Sequence, residues 1–276
     1  MTITIGPDEL ASLVRTGGKT TILASMWRPG EDIGFRKYQS EHIPTSFFCD
    51  PAAALAGVPS SQEGRNPLPD PDKLQGWFRT WGLKRNRTVV VYDEGRGLFA
   101  ARAWWVLTWA GLTDVRILDG GLEAWEACGY DIVGGPGGIS SGCEVQVNEG
   151  QLPVATADDI RAGGATLLDC REQSRFSGRK EHLDLRAGHI PGAVNLPSRD
   201  LMTAEGKYRS PEEIREQLHA VGIQEDSDVI VYSGSGLHSA QTIAAMRMAG
   251  FKDASMYLGG WSQWSADRSN PVEIGF

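Results

Sequence analysis

Short apolar runs alternate with longer amphipathic stretches along the chain, and this pattern predicts an α/β fold. The runs at 89–92 (Val-Val-Val-Tyr) and 229–232 (Val-Ile-Val-Tyr) lack polar alternation, which is typical of strands buried on both faces of a parallel sheet. Residues 211–218 begin with Pro and two acids after Ser210, so they predict a helix capped by that serine. Residues 239–249 predict another helix. Strands that alternate with helices indicate mainly parallel sheets flanked by helices.

The same pattern occurs twice, with the same short motifs in the same order. Each copy has a His-Ile-Pro turn, a buried strand ending in Tyr, and a Gly-Gly segment followed by Trp. In order, the motifs occupy 42–44, 89–92 and 120–125 in the first copy, and 189–191, 229–232 and 259–264 in the second. A repeat of this length predicts two similar domains.

A stretch rich in Gly and Ser at 134–142 separates the two copies and carries no apolar period. We therefore predict an N-terminal domain at 1–138, a linker at 139–154 and a C-terminal domain at 155–276.

Composition narrows the class of protein. The 276 residues are 41 % hydrophobic and 22 % charged, which is typical of a soluble globular protein. The net charge of −8 argues against nucleic acid or an anionic membrane as partner. No apolar run approaches the roughly 20 residues of a membrane span, and the start lacks a signal sequence. The four cysteines are scattered, so we expect reduced thiols, a cytoplasmic location and no metal site.

The segment 233–238 (Ser-Gly-Ser-Gly-Leu-His) joins the buried strand at 229–232 to the following helix. Successive backbone N–H groups and the helix dipole stabilise an anion at such a turn. A Cys at its first position would be favoured as a thiolate. Ser233 stands there instead, and a serine hydroxyl neither ionises near pH 7 without a base nor forms a persulfide.

Other interpretations of this loop are weaker. A hydrolase elbow needs Gly two residues on either side of its Ser, and neither Ser233 nor Ser235 has that. A phosphatase loop needs Arg at position 239, which is Ser, and a dinucleotide fingerprint lacks its third Gly. A tight turn without a ligand stays open.

Several motifs in order resemble the two-domain rhodanese family, which comprises the thiosulfate and 3-mercaptopyruvate sulfurtransferases. They lie at 169–178, 188–197, 231–236 and 259–264, with counterparts at 41–44, 91–93 and 117–121. The resemblance implies two tandem rhodanese-like domains, each a mainly parallel sheet flanked by helices. The N-terminal copy would be non-catalytic, in agreement with Asp93 at its loop. The C-terminal loop would carry a nucleophilic Cys that takes sulfur from a small anionic donor and passes it to a thiol or cyanide.

The resemblance also implies roles for individual residues. Ser233 occupies the nucleophile position, and Ser235 and His42 would assist proton transfer. Arg175 and Arg186 would bind the sulfonate or carboxylate of the donor. The pocket would be completed by Gly234, Gly236, Leu237 and His238, whose imidazole we expect to be neutral because a cation at a helix N-terminus is unfavourable. No metal or organic cofactor is implied.

Two functions follow. The first is a sulfurtransferase that moves sulfane sulfur from thiosulfate or 3-mercaptopyruvate to cyanide or a thiol. The alternative is a catalytically silent homologue, with a natural or engineered serine, that acts as an anion-binding or regulatory protein. A third interpretation makes Cys170 a substitute nucleophile, although a small buried cysteine is the simpler explanation.

Overall fold

The computed structural model describes residues 2–17, 19–140 and 142–275, and the chain divides into two compact units. Unit 1 holds the chain up to Ala56, Pro69–Gln151 and Ala204–Lys207. Unit 2 holds Gly57–Leu68, Leu152–Thr203 and the chain from Tyr208 onward. This division differs from the predicted domain boundaries because two short segments belong to the unit of the other half of the sequence. Met1, Gly18, Ser141 and Phe276, which fall within the predicted ranges, lie outside the described residues.

Unit 1 contains a parallel sheet with the strand order β1-β5-β4-β2-β3. Its strands and helices are β1 (Thr4–Ile5), α1 (Pro7–Arg15), β2 (Thr20–Ala24), α2 (Ile33–Ser40), β3 (Phe47–Phe48), α3 (Pro71–Thr80), β4 (Thr88–Tyr92), α4 (Leu98–Trp109), β5 (Val115–Leu118) and α5 (Gly121–Ala127). The predicted strand at 89–92 is the central β4. Its residues are buried because helices cover both faces of a parallel sheet.

Unit 2 repeats this arrangement, with the parallel strand order β6-β10-β9-β7-β8. Its elements are β6 (Val154–Ala155), α6 (Ala157–Ala162), β7 (Thr166–Asp169), α7 (Gln173–Phe176), β8 (Val194–Asn195), a 3-10 helix (Ser198–Leu201), α8 (Pro211–Ala220), β9 (Val229–Tyr232), α9 (Leu237–Met248), β10 (Ser255–Tyr257) and α10 (Gly260–Trp264). The α/β class and the two parallel sheets predicted from the sequence are confirmed.

Local chemistry explains where the helices of unit 2 begin. Ser210 caps α8 as predicted: its side chain accepts from the Glu213 N–H, and the Glu213 carboxylate accepts from the Ser210 N–H. Pro211 follows at the first helical position, where its missing N–H costs nothing. α9 begins after Gly236, which has a left-handed backbone (φ 83°). This turn brings residue 233 back beneath the first turn of α9.

The predicted linker packs along unit 1 for most of its length. Extended backbone from 144 to 151 bonds to the ends of unit 1 helices through Glu144 N–H to Leu83 O (2.8 Å), Asn148 N–H to Ala110 O (2.9 Å) and Gln151 N–H to Trp109 O (3.0 Å). The segment is therefore a strap on unit 1 rather than a free connection. Within the described chain, no helix is long and apolar enough to cross a membrane.

One tyrosine in each unit connects the central strand to the His-Ile-Pro turn. The buried Tyr232 hydroxyl accepts the Ile190 N–H (3.2 Å), and the buried Tyr92 hydroxyl accepts the Ile43 N–H (3.0 Å). Burial raises the pKa of both phenols, so they stay neutral at ordinary pH.

We predict that Tyr232→Phe lowers the free energy of unfolding of unit 2 by about 1–3 kcal/mol, because the buried Ile190 N–H would lose its acceptor. Urea unfolding followed by tryptophan fluorescence measures this change. Tyr130→Phe, which removes an exposed hydroxyl bonded to Asp8, is the matched control and should change stability by less than about 0.5 kcal/mol. Equal effects of the two substitutions would contradict the role given to Tyr232.

Candidate functional site

The loop 233–236 connects β9 to α9 in unit 2, and Ser233 is fully buried at its start. The Ser233 Oγ accepts the Gly236 N–H (3.0 Å) and the Ser239 hydroxyl (3.0 Å). The carbonyls of Ser233 and Gly234 accept the Trp261 and Ser262 N–H groups at the start of α10 (2.8 and 3.1 Å). The loop is thus held on both sides, and the Ser233 hydroxyl is fixed as an acceptor beneath the first turn of α9.

The corresponding loop of unit 1 shows what this turn can bind. Asp93 follows β4 and is buried, and its carboxylate accepts four backbone N–H groups at the start of α4. The donors are Gly95, Gly97 and Phe99 at 3.0 Å and Ala100 at 3.3 Å. Burial raises the pKa of Asp93, while the four N–H donors oppose that shift. A strand–turn–helix segment of this chain therefore binds a buried carboxylate through the backbone N–H groups of its turn and first helical residues.

His238 lies in the first turn of α9, and its Nδ1 is 2.8 Å from the Ser198 Oγ on the 3-10 helix. Burial lowers the pKa of His238 below its ordinary value of 6.5, and the charge of Arg175 lowers it further. The imidazole is therefore neutral at pH 7, which agrees with the expectation from the helix dipole.

Arg175, on α7, lies beside the loop, and its donor-binding role stays a prediction. A Cβ built on Gly234 would lie 3.4 Å from Arg175 Nη1. However, the guanidinium is already paired with two buried carboxylates, Glu181 and Asp184, each at 2.8 Å. These bonds, with backbone N–H groups of the same loop, hold the pKa of Glu181 below its ordinary value despite burial. The positive charge of Arg175 is thus largely balanced within the protein.

The contacts of Arg186 differ from the donor-binding role that the sequence predicts. Its guanidinium donates to four backbone carbonyls after and at the end of α10. The acceptors are Ser265 O (2.9 Å), Asn270 O (2.8 Å), Trp264 O (3.0 Å) and Asp267 O (2.6 Å). We therefore correct the prediction: backbone carbonyls of residues 264–270 occupy the Arg186 guanidinium, which is a structural role.

His42 belongs to unit 1 and is buried there. Its Nδ1 is 2.7 Å from Tyr38 O, and its ring stacks on Tyr38 with 4.4 Å between centroids. His189 makes the same contacts with Phe176 in unit 2. These contacts are those of packed turn histidines, so the catalytic role assigned to His42 stays a prediction.

Cys170 is unsuited to replace the missing thiol. It is buried after β7, and burial raises the pKa of its thiol well above the ordinary value. Its neighbours Asp169 and Arg171 form a buried ion pair at 2.7 Å, and Arg171 also donates to Gly188 O. This pair lies at the carboxyl end of β7 and connects it to the Gly188 carbonyl. Among the described residues, no group of three or more acidic, His or Cys side chains could hold a metal ion.

Sequence analysis missed two residues beside the loop, Arg65 and Asn66. Both lie in the Gly57–Leu68 segment that belongs to unit 2. Asn66 Nδ2 donates to Ser235 O (3.2 Å), and Arg65 pairs with Asp184. No motif or periodicity marks these residues, because their position depends on the path of a segment from the other half of the sequence. Ser235 is half-buried in the loop, and Leu237 is the first residue of α9.

Comparisons with known proteins agree with this architecture. A family model described as the rhodanese-like domain matches residues 28–128 and 153–267. SseB of Mycobacterium tuberculosis (strain ATCC 25618 / H37Rv), whose name places it provisionally among thiosulfate sulfurtransferases, is 38 % identical over 277 residues, covering 99 % of this chain and 97 % of that protein. The 3-mercaptopyruvate sulfurtransferase of Escherichia coli (strain K12) is 30 % identical and covers 98 % of this chain and 97 % of its own. The crystal structure of SseA from Escherichia coli superposes with a TM-score of 0.83 at 29 % identity, over 95 % of this chain and 100 % of that one.

The low pKa of His238 predicts a pH effect on stability. Because the pKa of this imidazole is lower in the folded than in the unfolded protein, the unfolded state binds the proton more readily. Its contribution to stability is therefore present above pH 6.5 and is lost as the pH falls from 6.5 toward the folded pKa. His238→Gln should weaken this acid dependence, as measured by unfolding at pH 5 to 8. An NMR titration in which His238 charges at or above 6.5 would contradict the prediction.

Proposed function

We propose that this chain, which belongs to the rhodanese family of sulfurtransferases, binds a small anionic sulfur donor at the Ser233 loop without taking up its sulfur covalently. The observation that carries the proposal is the Ser233 hydroxyl, which is fully buried and fixed as an acceptor of Gly236 N–H and Ser239 O–H. Nucleophilic attack by serine needs a base that removes its proton. Neither contact partner of this hydroxyl is such a base.

The chemistry of sulfur transfer supports the same conclusion. A sulfane sulfur is carried as a persulfide, which needs a polarisable thiolate that can attack sulfur and be attacked there. Sulfur attached to the Ser233 oxygen would not be a persulfide and could not be passed on in this way. Cys170 cannot replace it, because this cysteine is buried and burial raises the pKa of its thiol. We therefore propose that this chain does not form the persulfide that sulfur transfer needs.

The proposed binding of an anion at the Ser233 loop has separate support. The Asp93 loop of unit 1 accommodates a carboxylate with four N–H donors, and the Ser233 loop has the same place between a central strand and a helix. A side chain at 233 that is shorter than Asp would leave part of such a donor set to an external anion. We propose Arg175 as the side chain that pairs with the carboxylate or sulfonate of the donor.

A second candidate is sulfur transfer itself, from thiosulfate or 3-mercaptopyruvate to cyanide or a thiol. It is favoured by the relatives, whose names give these two activities and which align over nearly the whole chain. In this candidate, Ser235 and His42 would move protons, and a nucleophile other than Ser233 would be needed.

Sulfur transfer to cyanide, measured as thiocyanate from each donor, separates the two candidates. We expect the unmodified chain to show no turnover above the reaction without enzyme, and Ser233→Cys to exceed that background roughly a thousandfold or more, because only the thiolate can carry sulfur. Ser233→Ala is the matched control and should equal the unmodified chain. Turnover by the unmodified chain would contradict the proposal, and so would calorimetry showing that neither donor binds.

A further inference from the structure

The segment Gly57–Leu68 is fastened to the Ser233 loop and to α10 within unit 2. The Arg65 N–H donates to Ser262 Oγ (3.1 Å), Gln263 Nε2 donates to Gln62 O, and Asn66 Nδ2 donates to Ser235 O (3.2 Å). Gly64 has a left-handed backbone, and a Cβ there would lie 2.5 Å from Gly259 O. The backbone at Gly64 therefore lies so close to Gly259 that a larger side chain there would clash with it.

This fastening places the Arg65 side chain over the loop. A Cβ built on Gly234 would lie 2.6 Å from Arg65 Nη2, nearer than the 3.4 Å to Arg175 Nη1. Both guanidiniums therefore lie beside the position that a Cβ of residue 234 would occupy. Arg65 is 35 % exposed and Arg175 is 22 % exposed, so both remain accessible from solvent.

A single buried carboxylate holds the two arginines together. Asp184, whose side chain is 3 % exposed, pairs with Arg65 through Oδ1 and with Arg175 through Oδ2. Arg65 uses Nη1 for this pair, while its Nη2 is directed to the loop. Arg175 differs because one terminal nitrogen, Nη2, is shared between Asp184 and Glu181. Arg65 is thus the arginine whose second terminal nitrogen faces Gly234 most closely.

We propose that Arg65 is the second cationic binding residue of the Ser233 site, in the place that the sequence gave to Arg186. Its Nη2 donates to a carboxylate or sulfonate oxygen of a small anion on the Gly234 face, beside Arg175 Nη1. This inference rests on the proposed anion-binding function. It makes the site dependent on a segment from the N-terminal half of the sequence, and Asp184 is the residue that positions both arginines.

The experiment measures binding of thiosulfate and of 3-mercaptopyruvate to the full chain by isothermal calorimetry. Arg65→Gln should weaken binding about tenfold or more, the loss expected for one charge-assisted hydrogen bond. Arg65→Lys, which keeps the charge without the planar fork, should retain part of the affinity. The matched control is Arg199→Gln, which makes the same charge change at a 68 % exposed arginine of unit 2 and should leave the affinity unchanged.

Thermal unfolding of the same variants distinguishes a role of Arg65 in anion binding from a role in stability alone. If Arg65→Gln lowers the unfolding temperature but binds the anions as tightly as the unmodified chain, the inference is wrong and the proposed function stands. If the unmodified chain binds neither anion, the proposed function fails, and the inference fails with it. Weaker binding by Arg65→Gln, with unchanged binding by Arg199→Gln, is the result that the structure predicts.

Discussion

Backbone N–H groups at the start of a helix have no partner within that helix, and they need an acceptor when the turn is buried. In unit 1 the carboxylate of Asp93 meets this need at the start of α4. In unit 2 the smaller Ser233 hydroxyl stands at the start of α9 and accepts the Gly236 N–H. The two parallel sheets place these turns at the carboxyl ends of their central strands, where ligands bind in folds of this class. What each turn can bind therefore depends on which group accepts hydrogen bonds from its backbone N–H groups.

The electrostatics around the second turn limit what can enter it. Two arginines lie against Gly234, and two buried carboxylates, Asp184 and Glu181, balance their charges. His238 adds no positive charge at pH 7 because burial lowers its pKa. An entering anion must therefore compete with internal ion pairs, so shape and hydrogen bonding decide its affinity more than net attraction does. The proposed binding of a small anion by this acidic protein would therefore depend on such contacts.

The sequence was informative wherever the determinants are local. Periodicity predicted the strands at 89–92 and 229–232, and capping chemistry predicted the start of α8, because these signals lie within a few residues. The duplicated motifs predicted two similar domains, and the two sheets of the structure have the same strand order. The same reasoning placed Ser233 at the loop and predicted a neutral His238, since both follow from the position of a helix N-terminus.

Side-chain partners that depend on tertiary structure could not be predicted in this way. Arg186 follows a plausible anion-binding segment, yet its guanidinium meets four carbonyls near the end of α10, which lies far along the sequence. Arg65 shows the reverse: it lies in an unremarkable polar stretch and reaches the loop only because Gly57–Leu68 joins unit 2. Nothing in either local sequence distinguishes these two arginines.

The central claim is that, with Ser233 at the nucleophile position, the loop retains its conformation but cannot take up sulfur covalently. Intact-protein mass spectrometry tests this claim most directly. The unmodified chain and Ser233→Cys would each be incubated with 3-mercaptopyruvate or thiosulfate in the absence of an acceptor. The account predicts that the cysteine variant gains the mass of one sulfur atom, mapped by peptide analysis to position 233, and that the unmodified chain gains none. Sulfur bound to the unmodified chain, at any residue and removable by cyanide, would contradict it.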